Sequence, residues 1–336
     1  MLYLITMNNK DPFAHRTQGG MFTIGTDEDS GTRGFIEVDG DMLILTDKNI
    51  YKHKLPDSID PNRKNPNIPV SQQKIVSYGS EDSIVGRTLQ QANVLFKQHS
   101  LADHVDTEKA ISLAMLFLKE IVSLTEQEKE YKKIERELSG SFTGKLKEDS
   151  SLHIPTINDV EQRLKKFVGC VNQSHKYIMG MAQLFYTDIP KEQWNIKLKE
   201  KIVKEFNEEH PCVLFLKSIE HWIWLMRELR NEVEHSLISD ALTITNYELK
   251  ETGRVHPPTI TFNHKKVPLS TQKVSDFMSG SIENSLLCFE LLMAHLCNIH
   301  AQSFTGDERT VIEVPADKRE SDMPFVRFAY HVSYTK

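Results

Sequence analysis

Residues 211–235, PCVLFLKSIEHWIWLMRELRNEVEH, open with a proline and then carry apolar side chains at steps of three and four. Pro211 has no N–H to lose at a helix start, and Phe215, Ile219, Trp222, Met226, Val233 and Leu237 fall on one stripe. The stretch therefore predicts a long amphipathic helix with one buried side.

The same period recurs in both directions. Asp106-Thr107 caps a long helix with Ile111, Met115, Leu118 and Val122 on one face, and Thr156 precedes another carrying Val160, Leu164, Phe167, Val171, Ile178 and Phe185, ending before Pro190. Asn195 to Phe206 predicts a shorter helix. A last helix, capped by Ser270 or Thr271, carries Phe277, Ile282, Leu286, Phe289, Met293, Leu296 and Ile299. Upstream, Ser80-Glu81-Asp82-Ser83 starts a helix that runs to about Gln98. The charged run Glu126 to Glu137 reads as a solvated helical extension, broken by Ser139 to Gly144, with a flexible joint over 139–153. Helices of this kind and length predict an antiparallel bundle.

Strand signals surround it. Met21 to Ile24, Gly34 to Val38 and Met42 to Thr46 are β-prone, and Asp39-Gly40 is a tight-turn pair between the last two. Pro56, Pro61, Pro66 and Pro69 mark an irregular connection. Leu242 to Tyr247 and Thr259 to Phe262 predict a hairpin with a long loop, and Val311 to Val314 with Phe325 to Val332 another. The predicted class is mainly α: an antiparallel helical bundle with a small β-rich N-terminal region and β-hairpin additions. The predicted division is a β-rich accessory region with a terminal helix at 1–105, the bundle at 106–305 with a hairpin insert at about 241–265, and a C-terminal hairpin at 306–336.

Of 336 residues, 39% are hydrophobic and 26% charged, which suits a protein with a substantial core. A net charge of −6 argues against nonspecific coating of nucleic acid, so any RNA contact is expected to be local. Cys170, Cys212, Cys288 and Cys297 are scattered in apolar helical contexts and predict a reducing compartment without a disulfide framework. Met1 to Met7 lacks the basic flank of a signal segment, and no apolar run has the length to cross a bilayer. A cytoplasmic protein without membrane contact is expected.

The end of the quoted stretch, Arg230-Asn231-Glu232-Val233-Glu234-His235, sets a fixed cation, an amide and a titratable base within two helical turns. An arginine forks onto a phosphate and keeps its charge, while a histidine exchanges a proton near neutral pH. Asn231 lies about 100° and His235 about 140° around the helix from Arg230, so the three occupy adjoining strips. Arg230 falls beside the apolar stripe, where an unpaired charge wants an anionic partner.

This Arg-Asn-x3-His hexad in a bundle helix resembles the Arg-x4-6-His signature of the HEPN superfamily, in which a polar residue commonly follows the arginine. The resemblance spans roughly 107–305 and rests on the hexad and the bundle pattern; residues 1–105 match nothing in it. It implies an endoribonuclease that uses neither metal nor cofactor and works as a homodimer, two copies of the motif facing one cleft. Arg230 and His235 would be the catalytic pair and Asn231 the polar support. The ribose 2′-hydroxyl would attack the adjacent phosphorus, leaving a 2′,3′-cyclic phosphate and a 5′-hydroxyl, with His235 as general acid or base and Arg230 on the non-bridging oxygens. A role as a toxin or antiviral defence effector is implied by the resemblance alone. The long connections and the N-terminal β region leave room for a regulatory protein or ligand.

Each of these readings has an ordinary rival. Glu228, Glu232 and Glu234 can pair with Arg227 and Arg230 as a plain surface pattern, which fits a non-catalytic interaction or RNA-binding bundle. Lys197, Lys199, Lys201 and Lys204 could guide an RNA backbone or simply mark a solvated face. His175 and His221 could line a cleft, and Trp194, Trp222 and Trp224 could stack bases, although packing accounts for such residues more often. His295 and His300 are five apart and point in different directions, against a zinc pair. Phosphate-binding glycine loops, nucleophile elbows and zinc-protease pairs are absent from the sequence.

Overall fold

The computed structural model describes residues 13, 16, 31–97, 99–235, 241–303 and 307–334. Helices hold about half of the chain and strands about a fifth, so helices are accompanied by several small antiparallel sheets rather than forming a pure bundle. Two compact units divide it: Met1–Gly86 with Glu320–Phe325, and Arg87–Arg319 with Val326–Lys336. Among the described residues no helix is long and apolar enough to cross a membrane.

The first unit is built on a four-stranded meander, β1 (Thr32–Val38), β2 (Asp41–Thr46), β3 (Ile50–Lys54) and β4 (Ser71–Val76), each antiparallel to the next. Asp39-Gly40 closes the first hairpin with both residues at positive φ, 51° and 74°, and Val38 pairs with Asp41. That is the backbone a two-residue hairpin turn needs. Ile36, Val38, Leu43, Ile44, Leu45, Ile50 and Tyr51 make its core. Gly79 is required by close approach, because a Cβ there would lie 2.4 Å from the Asp47 carbonyl carbon. The predicted strand Met21 to Ile24 lies outside the described residues.

The helix expected from Ser80 to Gln98 is broken into pieces. Asp82, not Ser80, caps it by accepting from the Ile84 N–H, after which come Ser83–Val85, a π turn at Gly86–Gln90 and α1 (Gln91–Leu95). The wider turn is one way a helix absorbs an extra residue.

In the second unit the long helices stand where the 3.6-residue period places them. They are α2 (Thr107–Ser141), α3 (Val160–Phe185), α4 (Trp194–Glu205), α5 (Pro211–His235) and α6 (Val274–Ile299). Asp106 caps α2 by accepting from the Lys109 N–H at 2.9 Å. Helix α3 packs against α2, α5 and α6. Phe117 of α2 stacks on Phe289 of α6 with centroids 4.0 Å apart, and Phe167 meets Phe277 edge-on. The charged end of α2 is less free than predicted, for Tyr131 is buried there. On α5 the buried side is Cys212, Val213, Phe215, Leu216, Ile223, Leu225, Met226 and Leu229, while Ile219, Trp222 and Val233 are half-buried. Leu237 lies outside the described residues.

Strand β5 (Leu242–Thr245) pairs with β8 (Thr259–Phe262) as predicted, Leu242 opposite Phe262. A small ribbon, β6 (Glu248–Leu249) with β7 (Val255–His256), fills the connection. A third strand was not foreseen: β9 (Leu269–Lys273) pairs with β8, its Thr271 hydroxyl 2.7 Å from that of Thr261. The supposed caps Ser270 and Thr271 are therefore strand residues, and Lys273 stands at the cap of α6. The C-terminal hairpin is β10 (Asp307–Glu313) with β11 (Phe328–Tyr334). Buried Gln91 of α1 clips it, accepting from the N–H groups of Arg327 and Phe328 and donating to the Phe328 carbonyl at 2.8 Å.

Candidate functional site

Two helical stripes face each other across a groove of about 670 Å³. From α3 come Asn172, His175, Lys176 and Met179; from α5 come Ile223, Trp224, Arg227, Arg230 and Asn231. Both sets step by three and four, so each is one side of its helix. One end is closed by Lys191, Glu192 and Gln193 with Trp194 and Asn195, the first residues of α4. Gln193 is in the left-handed region, φ 58°, which turns the chain into α4. A non-glycine residue there costs roughly 1–2 kcal/mol, offset by burial of Trp194.

The groove is cationic inside an acidic chain. Lys176, Lys191, Arg227 and Arg230 stand against one carboxylate, Glu192. Arg227 and Lys191 have no carboxylate partner among the described residues. Arg230 makes an ion pair of 2.5 Å with Glu234 one turn on, and its Nη1 donates to the Asn231 side-chain oxygen at 3.3 Å. Its Nε is buried without a hydrogen-bond partner among the described residues. The Arg230–Glu234 pair is half-exposed, the kind worth about 0–1 kcal/mol, so a phosphate can displace the carboxylate at little cost.

Sequence reasoning placed Arg230, Asn231 and His235 together, and the first two do line the groove. His235 is the last residue of α5, and its side chain lies outside the described residues. Lys197, Lys199, Lys201 and Lys204 do not line the groove. Lys197 pairs with Glu200, Lys199 with Glu220 at 2.6 Å, and Lys201 with Asp188. Of the tryptophans, Trp194 is buried in the groove wall, Trp224 is half-buried at its edge, and Trp222 instead meets the His175 ring edge-on at 4.4 Å. His295 packs on Phe215, and His300 among His104, Phe185 and Tyr186. Lys176 and Lys191 are not among the residues the sequence singles out, and Arg227 enters there only as an ion-pair partner of the neighbouring glutamates, a pair the described residues do not form. A signal is present for two of them: Asn172, Lys176 and Met179 share a side of α3 about 100–160° around from its apolar stripe, and Arg227 is one turn before Arg230.

Burial pushes His175 and His295 down from 6.5 to about 4. Both rings are therefore neutral in the folded chain at pH 6, where an unfolded imidazole already takes up protons. Their contribution is complete above about pH 6.5 and is lost as the pH falls through that value towards 4. The loss is on the order of 3 kcal/mol per histidine. Urea midpoints measured at pH 7.5, 5.5 and 4.5 should fall in that order, and His175→Gln should flatten the fall; midpoints independent of pH would contradict the assignment.

No family model matches the chain, and no curated protein or solved structure is significantly similar to it.

Proposed function

We propose that the chain is a metal-independent endoribonuclease of the HEPN kind, in which Arg230 and Asn231 hold a phosphodiester and His235 moves the proton. The observation that supports it is the setting of Arg230 and Asn231 in a groove with Lys176, Lys191 and Arg227, beside the indole of Trp224. Such a site concentrates positive charge where a phosphate would lie and offers an aromatic face beside it. No metal need enter the chemistry: a fixed guanidinium neutralises charge that grows on the phosphoryl oxygens, and an imidazole accepts the 2′-hydroxyl proton or returns one to the leaving 5′-oxygen. His235 follows Arg230 by five residues, about 140° around α5, so its backbone presents it on a neighbouring strip. A second copy of the chain would supply the complementary imidazole. A role in toxin or defence systems belongs to the same proposal.

A second reading draws on the Arg230–Glu234 ion pair. If that pair persists against RNA, the groove binds without cutting. Purified protein incubated with single-stranded RNA and a chelator separates the two. Cleavage that disappears in His235→Ala, with the circular dichroism spectrum unchanged, supports the nuclease. Binding that survives His235→Ala without any cleavage by the wild type supports the binding module.

A further inference from the structure

A second hollow adjoins the groove at Trp224. It encloses about 470 Å³, and Trp224, Glu228, Asn263, His264, Lys265 and Lys266 line it. Trp224 borders both spaces, so one half-buried indole forms the sill between them.

We propose that the loop of residues 263–266, between β8 and β9, grips the phosphate backbone of an RNA strand that leaves the groove across Trp224. The proposal rests on the endoribonuclease reading and adds to it the path of the nucleotides flanking the cut.

The loop is built to hold its lysines outward. His264 Nδ1 accepts from the backbone N–H groups of Lys266 at 3.4 Å and Val267 at 3.3 Å, and its ring stacks on Phe262 at 5.4 Å with planes 8° apart. Val267 and Phe262 are buried, and the Asn263 N–H donates to the Ala241 carbonyl at 2.8 Å, so both ends of the turn are tied down. Lys265 and Lys266 remain exposed, and neither has a carboxylate partner among the described residues. The Lys266 ammonium stands 6.0 Å above the Trp224 ring.

Together the two spaces present six lysines and arginines against two carboxylates, Glu192 and Glu228. Cations on either side of an aromatic face are the arrangement by which single strands are held, phosphates on the charges and a base on the ring. An acidic peptide would use the charges and leave the indole without a stacking partner, so the polynucleotide fits better.

The test is binding of the full chain to 2′-O-methyl RNA, which has no free 2′-hydroxyl and so stays intact, followed by fluorescence anisotropy. Lys265→Ala/Lys266→Ala should weaken a strand of about twelve nucleotides at least tenfold and leave one of about three nucleotides unchanged. Losing two phosphate contacts should also flatten the salt dependence of the long strand by about 1.4 in log–log slope. Equal affinity of variant and wild type for the long strand overturns the proposal. So does an equal loss for both lengths, or displacement of the long strand by polyglutamate as effectively as by RNA. A wild type that binds neither length refutes the ribonuclease reading itself, and the proposal falls with it.

Discussion

Arg230→Ala is expected to lower kcat/KM for RNA cleavage by about 10²- to 10³-fold while leaving the melting temperature nearly unchanged. The two halves of that expectation come from different parts of the geometry. The guanidinium is held by a half-exposed ion pair and an amide rather than by the core, so its removal costs the fold at most about 1 kcal/mol. In the proposed reaction its value would be larger, because additional charge builds on the phosphoryl oxygens in the transition state, and the groove sets four cations against one carboxylate, Glu192. Arg230→Lys should restore only part of the rate, since an ammonium keeps the charge and loses the planar fork. A variant that melts far earlier than the wild type would recast Arg230 as structural, and full restoration by lysine would show that only charge matters.

The largest effect on stability is expected elsewhere, at Glu290. This carboxylate on α6 has no solvent exposure, and its Oε2 accepts from Arg87 Nε at 3.0 Å and Arg327 Nη1 at 3.1 Å. The arginines hold outer carboxylates too, Arg87 with Glu283 at 2.8 Å and Arg327 with Glu313 at 2.8 Å, so one buried acid joins α6, the π turn and the start of β11. Removing Glu290 takes the inner carboxylate from both arginines and leaves them only the exposed Glu283 and Glu313, so the loss approaches the ~3–5 kcal/mol of a broken buried pair. Glu290→Ala should therefore lower stability by about that amount, enough to remove much of the margin of a typical domain. Chemical denaturation of Glu290→Ala beside Glu283→Ala gives the comparison: Glu283 is largely exposed and its loss should cost about 1 kcal/mol or less. Similar losses for the two variants would contradict the assignment of Glu290 as the centre of the cluster.

The parts of the fold legible in the sequence are those whose signal is local. Asp106 caps α2, Pro211 opens α5, and Asp39-Gly40 turns the first hairpin, each because one residue type satisfies one backbone requirement. Strands β4 and β9 were not legible, since SQQKIV and LSTQK show no apolar alternation and owe their conformation to the strand beside them. The Ser270 or Thr271 cap was misread for the same reason: a hydroxyl before an apolar run suits a cap, yet cross-strand pairing with β8 takes those residues first.

At the candidate site, spacing along one helix brought Arg230 and Asn231 to a common face, and the structure sets both in one groove. Lys176 is legible only as part of a polar side of α3, with nothing local to say that this side faces α5, and Lys191 reaches the groove from a loop. Glu290 carries a readable signal in the sequence. A lone carboxylate within Leu286-Leu287-Cys288-Phe289-Glu290-Leu291-Leu292 must find a partner when its helix is buried, and two arginines from distant positions supply it.

The decisive measurement is the fate of a DNA strand that carries a single ribonucleotide, incubated with purified protein and a chelator. Attack by the neighbouring hydroxyl predicts one cut, on the 3′ side of that ribonucleotide, leaving a 2′,3′-cyclic phosphate with the wild type and no product with Arg230→Ala. A strand that stays whole with the wild type, or is cut equally by the variant, would contradict the nuclease.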